Sequence, residues 1–172
     1  MNSGYTEVLN SIGSSDPTPG GGSVAALSLA HAHSLALMVA RLTVGKEKWM
    51  DGHEVAEQVI SDSIDGVENA IWLAKLDAEA FDSVMSAYRM PKDTTNEKKA
   101  RSSAIREATI AAARAPLDTA FSARSLLSSL ESLCVSCNSN ALTDLASAAE
   151  LCLSSVKIAA MNVKINLDSV EG

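Results

Sequence analysis

Two aspartates near the end of an apolar helical pattern are the residues of this chain best suited to acid–base chemistry. Asp77 and Asp82 flank Glu79, and Asp77 lies four residues before Phe81, on the apolar side of the pattern. A carboxylate that faces a bundle interior is costly unless it is paired or functional, and burial raises its pKa toward the range useful for proton transfer. Asp77 is therefore the first candidate for a catalytic group, and structural pairing is the alternative.

A glycine-rich segment opens the first long helical pattern. It runs Pro19-Gly20-Gly21-Gly22-Ser23. Glycines let a ligand approach the backbone, and the free N–H groups at a helix N-terminus attract negative charge. The segment has no Walker pattern and follows no strand, so neither nucleotide fingerprint applies. A flexible capped turn is the alternative interpretation.

Polar and basic residues near other helix ends could contact a ligand. Asn162 and Asn166 are four residues apart, so their amides share one helix face and could read the donors and acceptors of a heterocycle. Hydrogen bonding between helices is the alternative. Small basic turns, which could bind carboxylates or simply be solvated, contain Lys46, Lys48, Arg89 and Lys92.

The sequence predicts no metal site. His31 and His33 are two residues apart and face nearly opposite sides of a helix, so they cannot bind one ion together. Cys134 and Cys137 have zinc-like spacing, but no second pair follows, which favours small free thiols. No segment has the elbow motif of a Ser-His-Asp hydrolase.

The composition predicts an acidic, soluble, helical protein. Alanine occurs 27 times among 172 residues, aromatic residues make up only 3%, and the net charge is −7. That charge argues against nucleic acid or an anionic membrane as partner. No signal peptide is predicted. The most apolar stretch, Val24 to Leu42, contains histidines, serines and Arg41, so we expect a buried core helix of a cytoplasmic protein.

The pattern predicts an all-α fold, an antiparallel bundle of four long helices plus a short N-terminal helix, in a single domain over 1–172. In this topology the glycine loop, the Arg89–Lys92 turn and the end of the last helix lie at one end of the bundle. The Gly45–Lys48 turn and the Asn138–Asp144 segment lie at the other. The expected helices are Thr6–Ile12, Ser23–Val44, Glu54–Ala87, Asn96–Leu133 with a kink at Pro116, and Ala141–Leu167.

Six strings occur in order and together resemble one family. They are Pro-Thr-Pro-Gly20-Gly21-Gly22-Ser23, Leu42-Thr-Val-Gly-Lys46-Glu-Lys48, Asp77-Ala-Glu-Ala-Phe81, Tyr88-Arg89-Met-Pro-Lys92, Asn138-Ser-Asn140-Ala-Leu-Thr-Asp144 and Asn162-Val-Lys-Ile-Asn166-Leu. In these strings the chain closely resembles the cyclodeaminase/cyclohydrolase family of folate enzymes, over nearly its whole length.

The resemblance implies an all-helical subunit that forms a homodimer and a tetrahydrofolate derivative as substrate, with no cofactor, metal, nucleic acid or membrane. It places the protein in one-carbon metabolism and histidine degradation. Asp77 would shuttle the proton, with Asp144 and Asp82 as reserve candidates. Substrate-binding residues would be Gly20, Gly21, Gly22 and Ser23 in the loop, Asn162 and Asn166 on the pterin, Asn138 and Asn140, and Lys46, Lys48, Arg89 or Lys92 on the glutamate tail.

Three functions stay open. The first is formiminotetrahydrofolate cyclodeaminase, and the second is methenyltetrahydrofolate cyclohydrolase. The third is a non-catalytic dimer that binds folate or another partner. The third is favoured by the segment Cys137-Asn138-Ser139-Asn140, where the family usually has Gly-Asn-Pro-Asn. Because the predicted site residues lie at both ends of the bundle, an antiparallel two-fold dimer could share each site between subunits.

Overall fold

The chain folds into α-helices joined by short connections. The computed structural model describes residues 3–171, and no strand occurs among them. The all-α prediction is therefore confirmed. The helices are α1 Ser3–Ile12, α2 Gly21–Thr43, α3 His53–Tyr88, α4 Thr95–Ala112, α5 Arg114–Cys134 and α6 Leu142–Glu171, with short 3-10 turns at Glu47–Gly52 and Ser139–Ala141.

The predicted third helix consists of two consecutive helices, α4 and α5. The helical hydrogen bonding breaks at Ala113, three residues before Pro116. Pro116 lies in the first turn of α5, where a missing N–H removes no helical hydrogen bond. Helical hydrogen bonding resumes at the next residue, because the N–H of Leu117 donates to the carbonyl of Ala113 at 3.2 Å. The helix is thus interrupted just before the proline, and the predicted kink at Pro116 itself stays a prediction. At the other end, α4 begins with a capping box between Thr94 and Glu97.

Helix α2 is the centre of the bundle. It packs against α3, α5 and α6, and its small residues, among them Ala25, Ala26, Ala32 and Ala36, are fully buried. Among residues 3–171 it is the one helix long and apolar enough to cross a membrane. Burial in the bundle accounts for this apolarity, because a core helix must be apolar nearly all round.

The two neighbouring histidines have separate structural roles. His33 is 7% exposed, and its Nδ1 lies 3.1 Å from the Oγ of Ser63 on α3. His31 is exposed, and its Nε2 lies 3.2 Å from the hydroxyl of Tyr5, so it links α1 to α2. The expectation that the two rings face different sides of the helix is confirmed.

The three cysteines differ in accessibility. Cys134 is exposed, whereas Cys137 and Cys152 are buried. Burial raises the pKa of the Cys137 thiol, with a smaller effect from Cys134, and it raises that of Cys152 to about 12. Since the thiolate is the nucleophile, both buried thiols are poorly reactive.

In the folded chain we expect one fast-reacting thiol, that of Cys134. Titration with Ellman's reagent at about pH 8 should give one equivalent before denaturation and three after it. The Cys134→Ser variant should give no fast equivalent. A native count of two or three would mean that the α5–α6 packing is looser than described.

Candidate active site

A cleft of about 420 Å³ opens where α2 begins. The start of α2 lies beside Asp77 of α3 and Asn162 of α6, and both helices continue beyond these residues, to Tyr88 and Glu171. The glycine loop and the end of α4 also line the cleft. The lining comprises Pro17, Thr18, Gly20, Gly21 and Gly22, then Asp77, Phe81, Val84, Met85 and Tyr88, then Thr109 and Ala112, and finally Asn162, Ile165, Asn166 and Ser169.

Asp77 is the one carboxylate in this lining, and it is held by the start of α2. The Oγ of Ser23 donates to its Oδ2 at 2.9 Å. Partial burial raises the pKa of Asp77 from its ordinary value, and the side-chain and backbone hydrogen bonds from Ser23 act in the opposite direction. A half-buried carboxyl group with a raised pKa holds a proton more readily than an exposed aspartate, which suits it to proton transfer.

Two amide side chains line the same cleft as Asp77. Asn162 and Asn166 both line it from α6, as their spacing predicts. The Nδ2 of Asn162 donates to the carbonyl of Ile158 at 2.9 Å, which fixes the amide orientation. Its second N–H and its oxygen are the groups that a ligand could use. The cleft therefore combines a proton carrier with directional donors and acceptors.

Tyr88 and Arg101 form a second feature of the cleft, which the sequence reasoning missed. Tyr88 lines the outer end, and both Nε and Nη2 of Arg101 donate to its carbonyl oxygen at 3.1 Å. The guanidinium carbon of Arg101 also lies 5.5 Å from the Tyr88 ring centre. Tyr88 stands in one of the six strings, but nothing in the helical pattern indicates that Arg101 folds back onto it.

The remaining predicted residues at this end lie outside the cleft lining. Asp82 follows Asp77 by five residues, about 140° around the helix, and is exposed. Arg89 and Lys92 are exposed in the turn after Tyr88, beside the outer end of the cleft. Their predicted contact with the glutamate tail stays a prediction.

The other predicted residues lie at the opposite end of the bundle. Lys46 and Lys48 follow α2, which is about 33 Å long, and Asp144 is in the first turn of α6. Asn138 links the segment before α6 to the end of α2 by hydrogen bonds. Its backbone N–H donates to the Thr43 hydroxyl at 3.0 Å, its Nδ2 to the Leu42 carbonyl at 3.1 Å, and its Oδ1 accepts from the Asn140 N–H at 3.0 Å. One subunit cannot bring this group to the cleft.

Comparison with known protein families assigns nearly the whole chain to one of them. The sequence model of the family described as formiminotransferase-cyclodeaminase matches residues 4–172. The chain belongs to the formiminotransferase-cyclodeaminase family. This is a family of cyclodeaminases and cyclohydrolases of folate one-carbon chemistry.

Three relatives illustrate the range of this family. A methenyltetrahydrofolate cyclohydrolase of Methylorubrum extorquens is 35% identical over 95% of this chain and 78% of its own length. A formimidoyltransferase-cyclodeaminase of Sus scrofa is 32% identical over 94% of this chain but only 30% of its own length. The crystal structure of a formiminotetrahydrofolate cyclodeaminase from Thermotoga maritima matches with a TM-score of 0.85 and 32% identity, over 96% of this chain and 78% of that one.

Proposed function

We propose that the chain is a formiminotetrahydrofolate cyclodeaminase, which converts 5-formimino-tetrahydrofolate to 5,10-methenyl-tetrahydrofolate and ammonia. The observation that carries the proposal is the half-buried Asp77 carboxyl group, which lines a cleft of about 420 Å³ together with Asn162 and Asn166. Family membership and the likeness to the Thermotoga maritima cyclodeaminase support it.

The proposed reaction needs one proton to be moved between two nitrogens. The formimino group reacts in its protonated form, CH=NH2⁺. N10 attacks its carbon and loses one proton, the formimino nitrogen gains one proton and leaves as ammonia, and the positive charge stays on the methenyl product. The two transfers balance, so a single carboxyl group can take the proton from N10 and return it to the leaving amine. Asp77 would fill this role, and its negative charge would stabilise the cationic carbon between them. Asn162 and Asn166 would orient the pterin.

A second candidate function is methenyltetrahydrofolate cyclohydrolase. The observation that favours it is the 35% identity to the Methylorubrum extorquens cyclohydrolase, 78% of whose length this chain covers. Here water adds to the methenyl carbon, the bond from that carbon to N5 breaks, N5 gains one proton and one further proton is released. Asp77 would act as the base toward water.

The methenyl chromophore distinguishes these functions. Incubation with 5-formimino-tetrahydrofolate should produce the chromophore if the chain is a cyclodeaminase, and incubation with 5,10-methenyl-tetrahydrofolate should remove it if the chain is a cyclohydrolase. If neither spectrum changes at micromolar enzyme, both enzymatic proposals are wrong and a non-catalytic folate-binding or interaction dimer remains.

We further propose that the protein is a cytoplasmic homodimer whose subunits pair along α6. Leu142, Leu153 and Leu167 are exposed on this helix. Their separations of 11 and 25 residues are close to three and seven full turns, so they form one apolar stripe. Two copies paired antiparallel would place Leu142 of each beside Leu167 of the other. This arrangement would bring the partner's Asp144 end of α6 to the outer end of the cleft.

Complementation between inactive variants tests the shared site. We expect co-expressed Asp77→Asn and Lys46→Ala subunits to recover about a quarter of wild-type activity, because half of the dimers are mixed and one of their two sites is intact. The matched control mixes Asp77→Asn with Asn162→Ala. Both changes lie in the same cleft, so no activity should return. If both mixtures stay inactive, or Lys46→Ala alone is fully active, the shared site is wrong.

A further inference from the structure

The N-terminus of α2 has no local side-chain cap. Its N-cap residue is Gly20, which makes no side-chain hydrogen bond. The first N–H groups of a helix have no partner inside the helix, so they need an acceptor from elsewhere. The carboxylate of Asp77 on α3 lies at this position: its Oδ2 accepts from the Ser23 hydroxyl at 2.9 Å, and the Ser23 backbone N–H also acts to lower the pKa of Asp77.

Gly22 makes room for this carboxylate. A Cβ built on Gly22 would come within 2.7 Å of all three carboxyl atoms of Asp77, nearer than real contacts allow. At this position a side chain and the Asp77 carboxylate therefore cannot both be present without a shift. The place that an anionic ligand would take at a glycine-rich helix start is filled by a carboxylate of the chain itself.

Ser23 is out of reach of a substrate. It is 1% exposed and does not line the cleft, whereas Asp77 does. We infer that Ser23 is a positioning residue, which fixes the Asp77 carboxylate and sets how readily it takes up a proton, rather than a substrate-binding residue. This inference rests on the proposed function of Asp77 in folate ring chemistry.

The balance of effects on Asp77 gives the inference a measurable consequence. Burial favours the protonated form, and the Ser23 hydrogen bonds favour the ionised form. In the cleft lining, which includes residues of α2, α3, α4 and α6, Tyr88 is the other titratable group. Arg101 is the charged group that contacts this lining, through Tyr88, and it is the same in wild type and in Ser23→Ala. Loss of the Ser23 hydroxyl should therefore move the Asp77 titration to higher pH.

The experiment compares Ser23→Ala with Ser28→Ala by carboxyl carbon NMR of the substrate-free protein, with Asp77→Asn to assign the signal. The midpoint of Asp77 should rise by about one pH unit in Ser23→Ala. It should stay unchanged in Ser28→Ala, because the Ser28 hydroxyl donates to the Val24 carbonyl of its own helix. Ser23→Thr keeps the hydroxyl and should restore the wild-type midpoint.

Kinetics with the folate substrate complete the test. Ser23→Ala should lower kcat about tenfold to a hundredfold with little change in KM. The limb of the pH–rate profile that is due to Asp77 should move to higher pH. An unchanged Asp77 midpoint, or a higher KM with an unchanged kcat, would overturn the positioning role. A shifted midpoint in a protein with no folate activity would instead overturn the proposed function and leave the Ser23–Asp77 coupling intact.

Discussion

The Asp77→Asn variant is expected to lose activity about 10²- to 10⁴-fold, the usual range for removal of a general acid–base group. Asparagine keeps the size of the side chain, and its oxygen can still accept from the Ser23 hydroxyl, which lies 2.9 Å from Oδ2 in the native chain. What it cannot do is gain and lose a proton near neutral pH. The loss should therefore appear in kcat, with KM changed much less.

Asp82→Asn is the matched control. It removes the same charge from the same helix, but Asp82 is exposed and outside the cleft lining. Activity within about twofold of wild type is expected, because solvent screens an exposed charge. If Asp82→Asn or Asp144→Asn were the severe variant and Asp77→Asn were active, the proton shuttle would be one of the reserve candidates.

Stability measurements separate a catalytic loss from unfolding. Burial raises the pKa of Asp77 in the folded chain, so the folded state binds more protons than the unfolded state between the two pKa values. The contribution of Asp77 to stability is thus present below its unfolded pKa and is lost as pH rises through the folded one. Asp77→Asn should lose this pH dependence and be at least as stable as wild type at neutral pH in urea unfolding, because its side chain stays neutral.

Local rules predict the helices well, because alanine-rich apolar periodicity and the turn residues act within a few positions of each other. The same rules do not decide what a helix start binds. The glycine segment before Ser23 predicts an anion site, and the anion found there is Asp77, which is 54 residues away in the chain. Such a pairing depends on how α2 and α3 align, and sequence spacing does not specify this alignment.

Long-range hydrogen bonds also explain the other differences at the site. Asn138 bonds to Leu42 and Thr43 across the far end of the bundle, so much of its hydrogen-bonding capacity is used within the subunit. Arg101 reaches the Tyr88 carbonyl only because the turn after α3 reverses the chain. In contrast, Asn162 and Asn166 were predictable as one polar face, since four residues are about one helical turn.

Gly66→Ala is expected to destabilise the fold by about 1–3 kcal/mol, although alanine is the better helix former. A Cβ on Gly66 would come within 2.5 Å of three ring atoms of His33. This ring is 7% exposed and its Nδ1 lies 3.1 Å from the Ser63 Oγ, so moving it away from the new methyl group would break that contact. Urea unfolding should show a lower midpoint. Gly13→Ala is the control, because its Cβ would approach no non-neighbouring atom closer than 3.4 Å, and it should be near neutral.

A double-mutant cycle with His33→Ala identifies the cause of that loss. Removing the ring leaves space for the methyl group that Gly66→Ala introduces, so the double variant should be about 1–3 kcal/mol more stable than the sum of the single effects predicts. Burial lowers the pKa of His33, and the negative charge of Asp62 raises it by a smaller amount. The stability due to the neutral ring is therefore lost as pH falls. At about pH 8 the ring is neutral in both states, and the cycle then reports packing alone. Additive effects there would mean that His33 and Gly66 are not in contact, and that α2 and α3 pack in a different register.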